Sequence, residues 1–197
     1  MNVRKPPISV DILRDLLIYD PQVGALTWRY RPIKFFTNGR KKTAEQKAQW
    51  WNKRYAGEPA LCTPSAKDGY LRGVILGRMY LAQRVCWALH AGAWPSGEID
   101  HKNQTRNENW FDNLRDATHQ ENGKNQRLRS TNTSGHMGVS WIKATKKWQV
   151  CIMSDGRNVF IKQFSEKNEA VAAAATAYKS LGFHENHGKQ GVSQWSN

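Results

Sequence analysis

Residues 98–129 decide the fold, and they read EIDHKNQTRNENWFDNLRDATHQENGKNQRLR. The segment opens with a short strand, continues as a polar, Asn-rich loop over 102–112, and returns as a second strand over 114–117. The next residues read T-H-Q-E, which is the spacing of a capping box, so a helix should begin at His119. The order strand, loop, strand, helix predicts a compact ββα unit.

Four polar side chains stand at defined spacings in this segment. Asp100 and His101 are adjacent, and Asn113 and Asn122 follow the aspartate by thirteen and twenty-two positions. The pattern resembles the HNH nuclease motif, in the phage and intron-associated form whose last His is replaced by Asn. The resemblance implies that His101 is the general base and that Asn113 braces the loop. It also implies that Asp100 and Asn122 hold one divalent metal ion.

The chemistry of these residues suits hydrolysis of a phosphodiester bond. An imidazole with a pKa of about 6.5 can accept a proton at neutral pH. Carboxylate and amide oxygens suit Mg²⁺, with Mn²⁺ able to substitute, whereas two protein ligands are too few for structural zinc. Adjacent strand residues face opposite ways, so Asp100 and His101 can serve one phosphate only where the strand ends, or by flanking it. The alternative is that the motif residues merely cap the loop of a small polar fold.

The charge of the chain predicts a polyanionic partner. The formal net charge is +14 and the pI is about 9.9. Residues 1–97 carry 16 basic and 6 acidic groups, residues 98–130 carry 6 and 6, and residues 131–197 carry 8 and 4. Basic segments therefore flank a neutral motif, and double-stranded DNA is the expected partner.

The remaining composition predicts a soluble protein of the cytoplasm. The three cysteines, Cys62, Cys86 and Cys151, are far apart and form no C-x-x-C pair, so reduced thiols are expected. There is no apolar run of membrane-spanning length and no signal-peptide pattern, so no membrane association is expected. No small-molecule cofactor is expected either.

The N-terminal extension, residues 1–68, is predicted to hold a basic arm over 1–7, a helix over 10–19, a turn, and a strand over 25–30. Phage HNH proteins often open with a similar D-P-x-x-G-x-x-x-W hairpin, which Asp20, Pro21, Gly24 and Trp28 match.

A basic segment follows the hairpin. Residues 28–54 contain nine Lys or Arg and one acidic residue, and a second capping box predicts a helix over 44–55. The segment is either a clamp on the DNA backbone or a solvated face over a Trp-anchored core. Trp50 and Trp51 cannot share one helix face, so at least one should be buried. The candidates for backbone contact are Arg40, Lys41 and Lys42.

Residues 69–89 read as a strand over 69–76, a turn at Gly77-Arg78, and a returning strand that leads into a helix. The resemblance extends here through Gly69, Tyr70, Arg78, Tyr80, Arg84 and Trp87. The chain has Gln83 where the family commonly has His, which favours a packing or hydrogen-bonding role there. It also has Gln104 where Gly usually permits a tight turn, so the loop conformation could differ.

Five of the basic residues within or just after the motif are candidates for DNA contact. Arg106 and Arg115 could grip phosphates or brace the loop. Three more basic residues follow Asn122, and they either contact the DNA backbone or keep the helix soluble. They are Lys124, Arg127 and Arg129.

Residues 137–197 resemble the Apetala-type (ethylene-response-factor) DNA-binding domain. Strands are predicted over 138–142, 148–153 and 159–164, with a hairpin at 154–157 and a helix over 166–181 capped by Ser165. The resemblance makes Trp141, Lys143, Trp148, Arg157 and Lys162 candidates for DNA contacts. Trp148 could equally fix the sheet on its helix, and Gln149 on the opposite face could read adenine.

The expected fold class is α+β, with a small ββα-metal nuclease domain and a C-terminal three-stranded antiparallel sheet on one helix. The expected parts are an N-terminal extension (1–68), an HNH domain (69–129), a linker (130–136) and an Apetala-type domain (137–197). The expected function is a phage homing-type DNA endonuclease, acting as a monomer or a homodimer. The alternatives are a DNA-binding regulator with an inactive HNH unit, and an RNA-binding protein that uses aromatic stacking.

Overall fold

The computed structural model of the 197-residue chain describes residues 7–154 and 156–189. Residues 1–6 of the predicted basic arm, Asp155 of the predicted hairpin, and residues 190–197 of the predicted C-terminal domain lie outside the described residues. The described part is an α+β structure with five α-helices and several small sheets. None of its helices has the length and apolar character needed to cross a bilayer.

Packing contacts divide the chain into two units. Among the described residues, the first unit comprises 7–101 and 105–116, and the second comprises 102–104, 117–154 and 156–189. The helices and strands up to the motif are α1 (Val10–Leu16), β1 (Leu17–Asp20), β2 (Ala25–Trp28), α2 (Ala44–Tyr55), β3 (Thr63–Pro64), β4 (Leu71–Ile75), β5 (Arg78–Leu81), α3 (Ala82–Ala91), β6 (Glu98–His101) and β7 (Leu114–Ala117).

One hydrophobic core holds the first unit together. It takes Leu13 from α1, Leu26 from β2, Val85 from α3 and Ile99 from β6, and all four are at least 95% buried. Residues on both sides of the predicted boundary at 68/69 thus contribute to the same core. Whether they are separate functional parts stays a prediction.

Helix α1 ends earlier than predicted, because its last predicted turn is a strand. The chain leaves the helix after Leu16 and pairs residues 17–20 with residues 25–28 as an antiparallel hairpin. The Asp20 carboxylate accepts hydrogen bonds from the backbone N–H groups of Gln22 and Val23, which closes the predicted turn. The second strand ends at Trp28 rather than at residue 30.

Helix α2 has the predicted bounds, and both hydrogen bonds of its capping box form between Thr43 and Gln46. As predicted, its two adjacent tryptophans do not share one helix face. Trp51 packs edge-on against Trp28 with 5.4 Å between ring centroids, whereas Trp50 is 52% exposed.

The β4–β5 hairpin turns at Leu76-Gly77, not at the predicted Gly77-Arg78. Arg78 pairs with Ile75, so only two residues form the loop, and their φ angles are +47° and +80°. Positive φ at both central positions is the conformation that matches the right-handed twist of flanking strands.

The second unit contains α4 (His119–Gly123), β8 (Val139–Ile142), β9 (Lys147–Ser154), β10 (Arg157–Phe164) and α5 (Lys167–Ser180). The three strands form an antiparallel sheet in the order β10-β9-β8, and α5 packs on it as predicted. Ala170, Ala174 and Ala177 recur at helical spacing and face the buried Val150 and Ile152. Their small size allows the helix to lie close to the sheet.

One local prediction in this unit needs correction. Helix α5 begins after Glu166 rather than after Ser165, and the Glu166 side chain makes no capping hydrogen bond to a described residue. Whether residues 130–136 act as a linker stays a prediction. They contain a hydrogen-bonded turn, in which the side-chain Oδ1 of Asn132 accepts from the Gly135 N–H and the Ser134 hydroxyl donates to the His136 carbonyl. This turn lies inside the second unit.

Candidate active site

Strand β6 carries the two central residues of the predicted site. It pairs with β7 in a two-stranded sheet, and both of its last residues are buried, with Asp100 6% and His101 2% exposed. Their side chains contact different neighbours. Asp100 contacts Arg115, whereas His101 contacts Asn109 and the ring of Tyr70. The two side chains therefore flank the strand end, as the alternation of strand residues requires.

The contact with Asn109 favours one tautomer of the His101 imidazole. Its Nε2 lies 2.9 Å from Oδ1 of Asn109. An amide oxygen only accepts hydrogen bonds, so Nε2 carries the hydrogen and the ring lone pair is on Nδ1. The Tyr70 ring packs beside the imidazole, with 5.8 Å between centroids. Nδ1 is therefore the atom that can accept a proton.

Burial lowers the pKa of His101 below its ordinary value, and it outweighs the hydrogen bond to Asn109 and the charge of Asp100, which both act to raise it. A lowered pKa keeps the imidazole neutral at neutral pH. Neutral imidazole is the form that a general base needs.

Asn109 is the site residue that the sequence analysis missed. It is 2% exposed and lies eight positions after His101, in a loop that contains three asparagines over 102–112. Nothing in the local sequence separates it from its neighbours. Asn113 in the same loop donates from its Nδ2 to the carbonyl of Glu108 at 2.8 Å, a contact that closes the loop onto itself.

The β1–β2 hairpin holds the loop that carries Asn109. The Tyr19 hydroxyl donates to the Asn109 carbonyl at 2.7 Å, and the Phe111 N–H donates to the Pro21 carbonyl at 2.9 Å. Gly24, with φ +76°, lies so close that a Cβ there would be 2.4 Å from the Asn109 carbonyl carbon. The N-terminal hairpin thus positions the residue that orients His101.

Asp100 makes a two-point ion pair with Arg115. Its Oδ2 accepts from Nε at 2.8 Å and lies 2.7 Å from Nη2 of the guanidinium. Arg106, the other arginine of the motif, donates to the Asp68 carbonyl at 2.8 Å and lies over the Tyr70 ring at 5.0 Å. Both guanidinium groups therefore make bracing contacts. Whether either one also grips phosphate stays a prediction.

Asn122 lies in the first turn of α4, in the second unit. The helix starts at the predicted capping box, where Thr118 Oγ1 accepts from the Glu121 N–H at 3.2 Å and the Glu121 carboxylate accepts from the Thr118 N–H at 2.8 Å. The order strand, strand, helix is thus present along the chain. Its arrangement as a ββα unit stays a prediction.

The two predicted metal ligands, Asp100 and Asn122, belong to different units, and their action on one cation stays a prediction. A carboxylate and an amide are the oxygen ligands that Mg²⁺ and Mn²⁺ accept, with water and phosphate completing the shell. Within residues 7–154 and 156–189, no group of three or more His, Cys, Asp or Glu is placed to hold a metal ion. Each of the three cysteines is a free thiol.

Gln104 has a left-handed backbone, with φ +64°. It thus adopts the backbone conformation that a glycine would favour. Hydrogen bonds fix its side chain. Its Nε2 donates to the Asn125 carbonyl at 3.1 Å and to the Asn186 carbonyl at 2.7 Å. These contacts in the second unit offset the backbone strain of a non-glycine residue there.

Two of the three basic residues that follow Asn122 donate hydrogen bonds within the second unit. Lys124 donates to the Leu181 carbonyl at 3.0 Å, and Arg127 donates to the Gln104 carbonyl. Arg129 is exposed. In the first unit, the candidate backbone contacts Arg40, Lys41 and Lys42 are all exposed in the loop before α2.

The candidate DNA contacts of the sheet lie on both of its faces. Trp148 pairs with Trp141 on the side of the buried Val150, and their ring centroids are 5.2 Å apart. Gln149 lies on the opposite, open face. The strand register places Lys162 and Arg157 on the face of the sheet that packs against α5, although both side chains are exposed. Lys143 lies in the exposed turn between β8 and β9.

Comparison with known proteins gives one relative and one family match. Over 72 residues the chain is 35% identical to protein 3.8 of Escherichia phage T7, a match that covers 36% of this chain and 60% of that protein. The chain thus spans less than two thirds of the length of that relative. No solved structure gives a significant match. Residues 80–124 match the HNH endonuclease family, and this segment contains all four predicted motif residues. Residues 80–124 are therefore the part of the chain that carries an HNH endonuclease domain.

Proposed function

We propose that this protein is a metal-dependent DNA endonuclease that hydrolyses phosphodiester bonds. The observation that carries the proposal is the buried imidazole of His101, kept neutral by burial and held by Asn109 beside the carboxylate of Asp100. A neutral base next to a cation ligand is the pair that phosphodiester hydrolysis needs. The match of residues 80–124 to the HNH family supports the same reaction.

In the proposed mechanism, Nδ1 of His101 takes a proton from the attacking water as the water oxygen bonds to phosphorus. The bond from phosphorus to the 3′ oxygen breaks, and that oxygen takes a proton from solvent. The hydrogen bond from Nε2–H to Asn109 keeps the ring in the required tautomer and orientation. Asp100 and Asn122 would hold one Mg²⁺, which would supply positive charge to the phosphate and the leaving oxygen. Arg115 fixes the carboxylate of Asp100. The resemblance implies products with 5′-phosphate and 3′-hydroxyl ends.

The proposed substrate is double-stranded DNA, and the net charge of +14 supports it. The second unit would select the site through an Apetala-type sheet, with Gln149 on the open face as the candidate base contact. The basic 28–54 segment would hold flanking backbone. The proposed setting is the host cytoplasm, with the protein acting as a phage homing-type nuclease.

A supercoiled-plasmid assay tests the proposal. The full-length protein is incubated with plasmid in Mg²⁺, in Mn²⁺ and in excess EDTA, and nicked and linear forms are scored over time. We expect cleavage in either metal and none in EDTA. Nicked product alone indicates action on one strand, whereas direct linear product indicates a dimer, since each chain has one proposed site. Tight, salt-dependent binding without cleavage in any metal would instead identify a DNA-binding regulator.

Substitutions of Asn109 should move the pH profile of cleavage in opposite directions. Asn109→Asp places a carboxylate on Nε2–H, which raises the pKa of His101 and moves the acidic limb to higher pH. Asn109→Ala removes a hydrogen bond that raises this pKa, so the limb moves to lower pH. We expect the alanine variant also to lose about tenfold in rate at pH 8, because the ring is less well oriented.

The measurement is the initial nicking rate between pH 5 and pH 9. The exposed Asn107 in the same loop provides the matched control, and Asn107→Ala should leave the profile unchanged. If both Asn109 variants kept the wild-type profile, Asn109 would not be the partner of the base.

Asn122 should reveal its role through metal preference. Asn122→Asp adds charge to the ligand set, so metal binding should persist while the ratio of Mg²⁺-supported to Mn²⁺-supported rates changes. Asn122→Ala should weaken the apparent metal affinity by at least about tenfold, in line with loss of a metal ligand. Metal titrations of the nicking rate measure both effects. An aspartate variant that bound no metal would contradict the ligand role.

A further inference from the structure

A cleft of about 340 Å³ lies in the first unit, lined by α2, the segment before it and the β4–β5 hairpin. Val74 and Leu76 of the hairpin line it, and neither His101 nor Asp100 does. The lining also includes four aromatic residues, namely Trp28, Trp50, Trp51 and Tyr55. Its volume is at the small end of ligand pockets, with room for one planar group rather than for a duplex.

A buried guanidinium also lines this cleft. Arg31 is 8% exposed, and its guanidinium carbon lies 3.7 Å from the centroid of the Trp51 ring. Asn52 fixes the backbone of Arg31 on both sides, since it accepts from the Arg31 N–H at 2.7 Å and donates to the Arg31 carbonyl at 3.0 Å. The cation is therefore held rigidly in place.

The guanidinium of Arg31 has no acceptor within the part of the chain that the structure describes. Its Nε is buried without a hydrogen-bond partner among those residues. Arginine has five N–H donors, and a buried donor without an acceptor is costly. A guanidinium kept in such a position beside an open cleft indicates that a ligand supplies the acceptors.

The rim of the cleft is cationic. The half-exposed ring of Trp50 has the ammonium of Lys42 and the guanidinium of Arg54 each 5.8 Å from its centroid. Arg54 also lies 5.5 Å from the ring of Tyr55. The cleft thus combines aromatic walls, donors in its lining and positive charge around its mouth. An aromatic group that carries acceptors and is attached to phosphates fits all three features.

We propose that this cleft binds one unpaired nucleobase of a DNA strand, with guanine preferred. The base stacks against the ring of Trp50, and Arg31 donates to its acceptor edge. Guanine presents two adjacent acceptors, O6 and N7, to a guanidinium, whereas thymine presents only isolated ones. Lys42 and Arg54 hold the flanking phosphates. The proposal takes from the proposed function only that the ligand is DNA.

The test is the affinity of the full-length protein for four short duplexes, measured by fluorescence anisotropy in EDTA. One duplex is fully paired, and three have an extra nucleotide that is guanine, thymine or abasic. The abasic duplex has the same added backbone without a base. We expect the guanine duplex to bind about tenfold more tightly than the abasic and fully paired ones, with thymine in between.

Two variants should abolish this gain. Trp50→Ala removes the stacking surface, and Arg31→Met removes the donors while it retains the apolar stem. Arg31→Met should keep a melting temperature close to the wild type, since it removes a buried donor without an acceptor but also removes the stacking of the guanidinium on Trp51. Tyr30→Ala, at an exposed aromatic residue outside the cleft, and Lys53→Met, at an exposed cation of α2, should keep the gain.

Equal affinity for the four duplexes would overturn the proposal, and so would a guanine gain that survived in Arg31→Met. Equal affinity for the guanine and thymine duplexes would overturn the assignment of Arg31. The readout needs no cleavage. A protein that preferred the guanine duplex but cut no DNA would therefore refute the nuclease proposal alone. A protein that cut DNA but bound the four duplexes equally would refute the base-binding proposal alone.

Discussion

His101→Ala is expected to reduce DNA cleavage by a factor of about 10² to 10⁴, the usual contribution of a general base. The structure gives the reason, because Nδ1 of this buried, neutral ring is the proposed proton acceptor, and alanine offers none. The nicking rate of supercoiled plasmid in saturating Mg²⁺ measures the loss. Added imidazole should restore part of the rate, since truncation of a buried side chain leaves a space of matching shape.

The matched control is His136→Ala, which removes an exposed imidazole from the second unit and should leave the rate unchanged. Circular dichroism and DNA affinity of His101→Ala should match the wild type, which separates lost chemistry from lost fold. A wild-type cleavage rate in His101→Ala would refute the assignment of the base.

Asp100→Asn is expected to lower cleavage by at least about 100-fold, and the Mg²⁺ concentration needed for half of the residual rate should rise by at least about tenfold. The substitution keeps the shape of the side chain and an oxygen that can accept from Arg115, so the strand end should stay intact. It removes the negative charge that a hard cation requires. Calorimetric titration with Mn²⁺ should show affinity at least about tenfold weaker than in the wild type.

Asp11→Asn provides the control for charge, because that carboxylate is 90% exposed in α1 and pairs only with Arg14 among the described residues. It should change neither metal affinity nor cleavage. Retention of Mg²⁺-dependent cleavage at the wild-type rate in Asp100→Asn would show that another residue holds the metal.

Local signals in the sequence predicted much of the fold. The capping boxes at Thr43 and Thr118 and the boundaries of α2 are confirmed, because each depends on residues only a few positions apart. The predicted end of α1 is wrong because it depends on residues that lie farther apart in the chain. Residues 17–20 continue the helical spacing of apolar residues, but pairing with residues 25–28 satisfies their backbone instead.

The residues of the site likewise include some that the local sequence predicts and some that it does not. The positions of Asp100 and His101 could be predicted because the motif spacing is written along the chain, and the structure buries both at a strand end. Asn109 could not be predicted, because its contact with His101 depends on how an irregular loop folds back. The packing of Arg31 against Trp51 was equally hidden, since twenty residues separate them.

The support that the N-terminal hairpin gives to this loop limits how the nuclease can be dissected. A fragment reduced to residues 80–124 would keep the motif but lose the Tyr19 hydroxyl, the Pro21 carbonyl and the close approach of Gly24. Asn109 would then have fewer restraints than in the intact protein. Anyone grafting this cutting activity onto another DNA-binding protein would need to transplant the hairpin as well, even though it precedes the recognisable motif by some eighty positions.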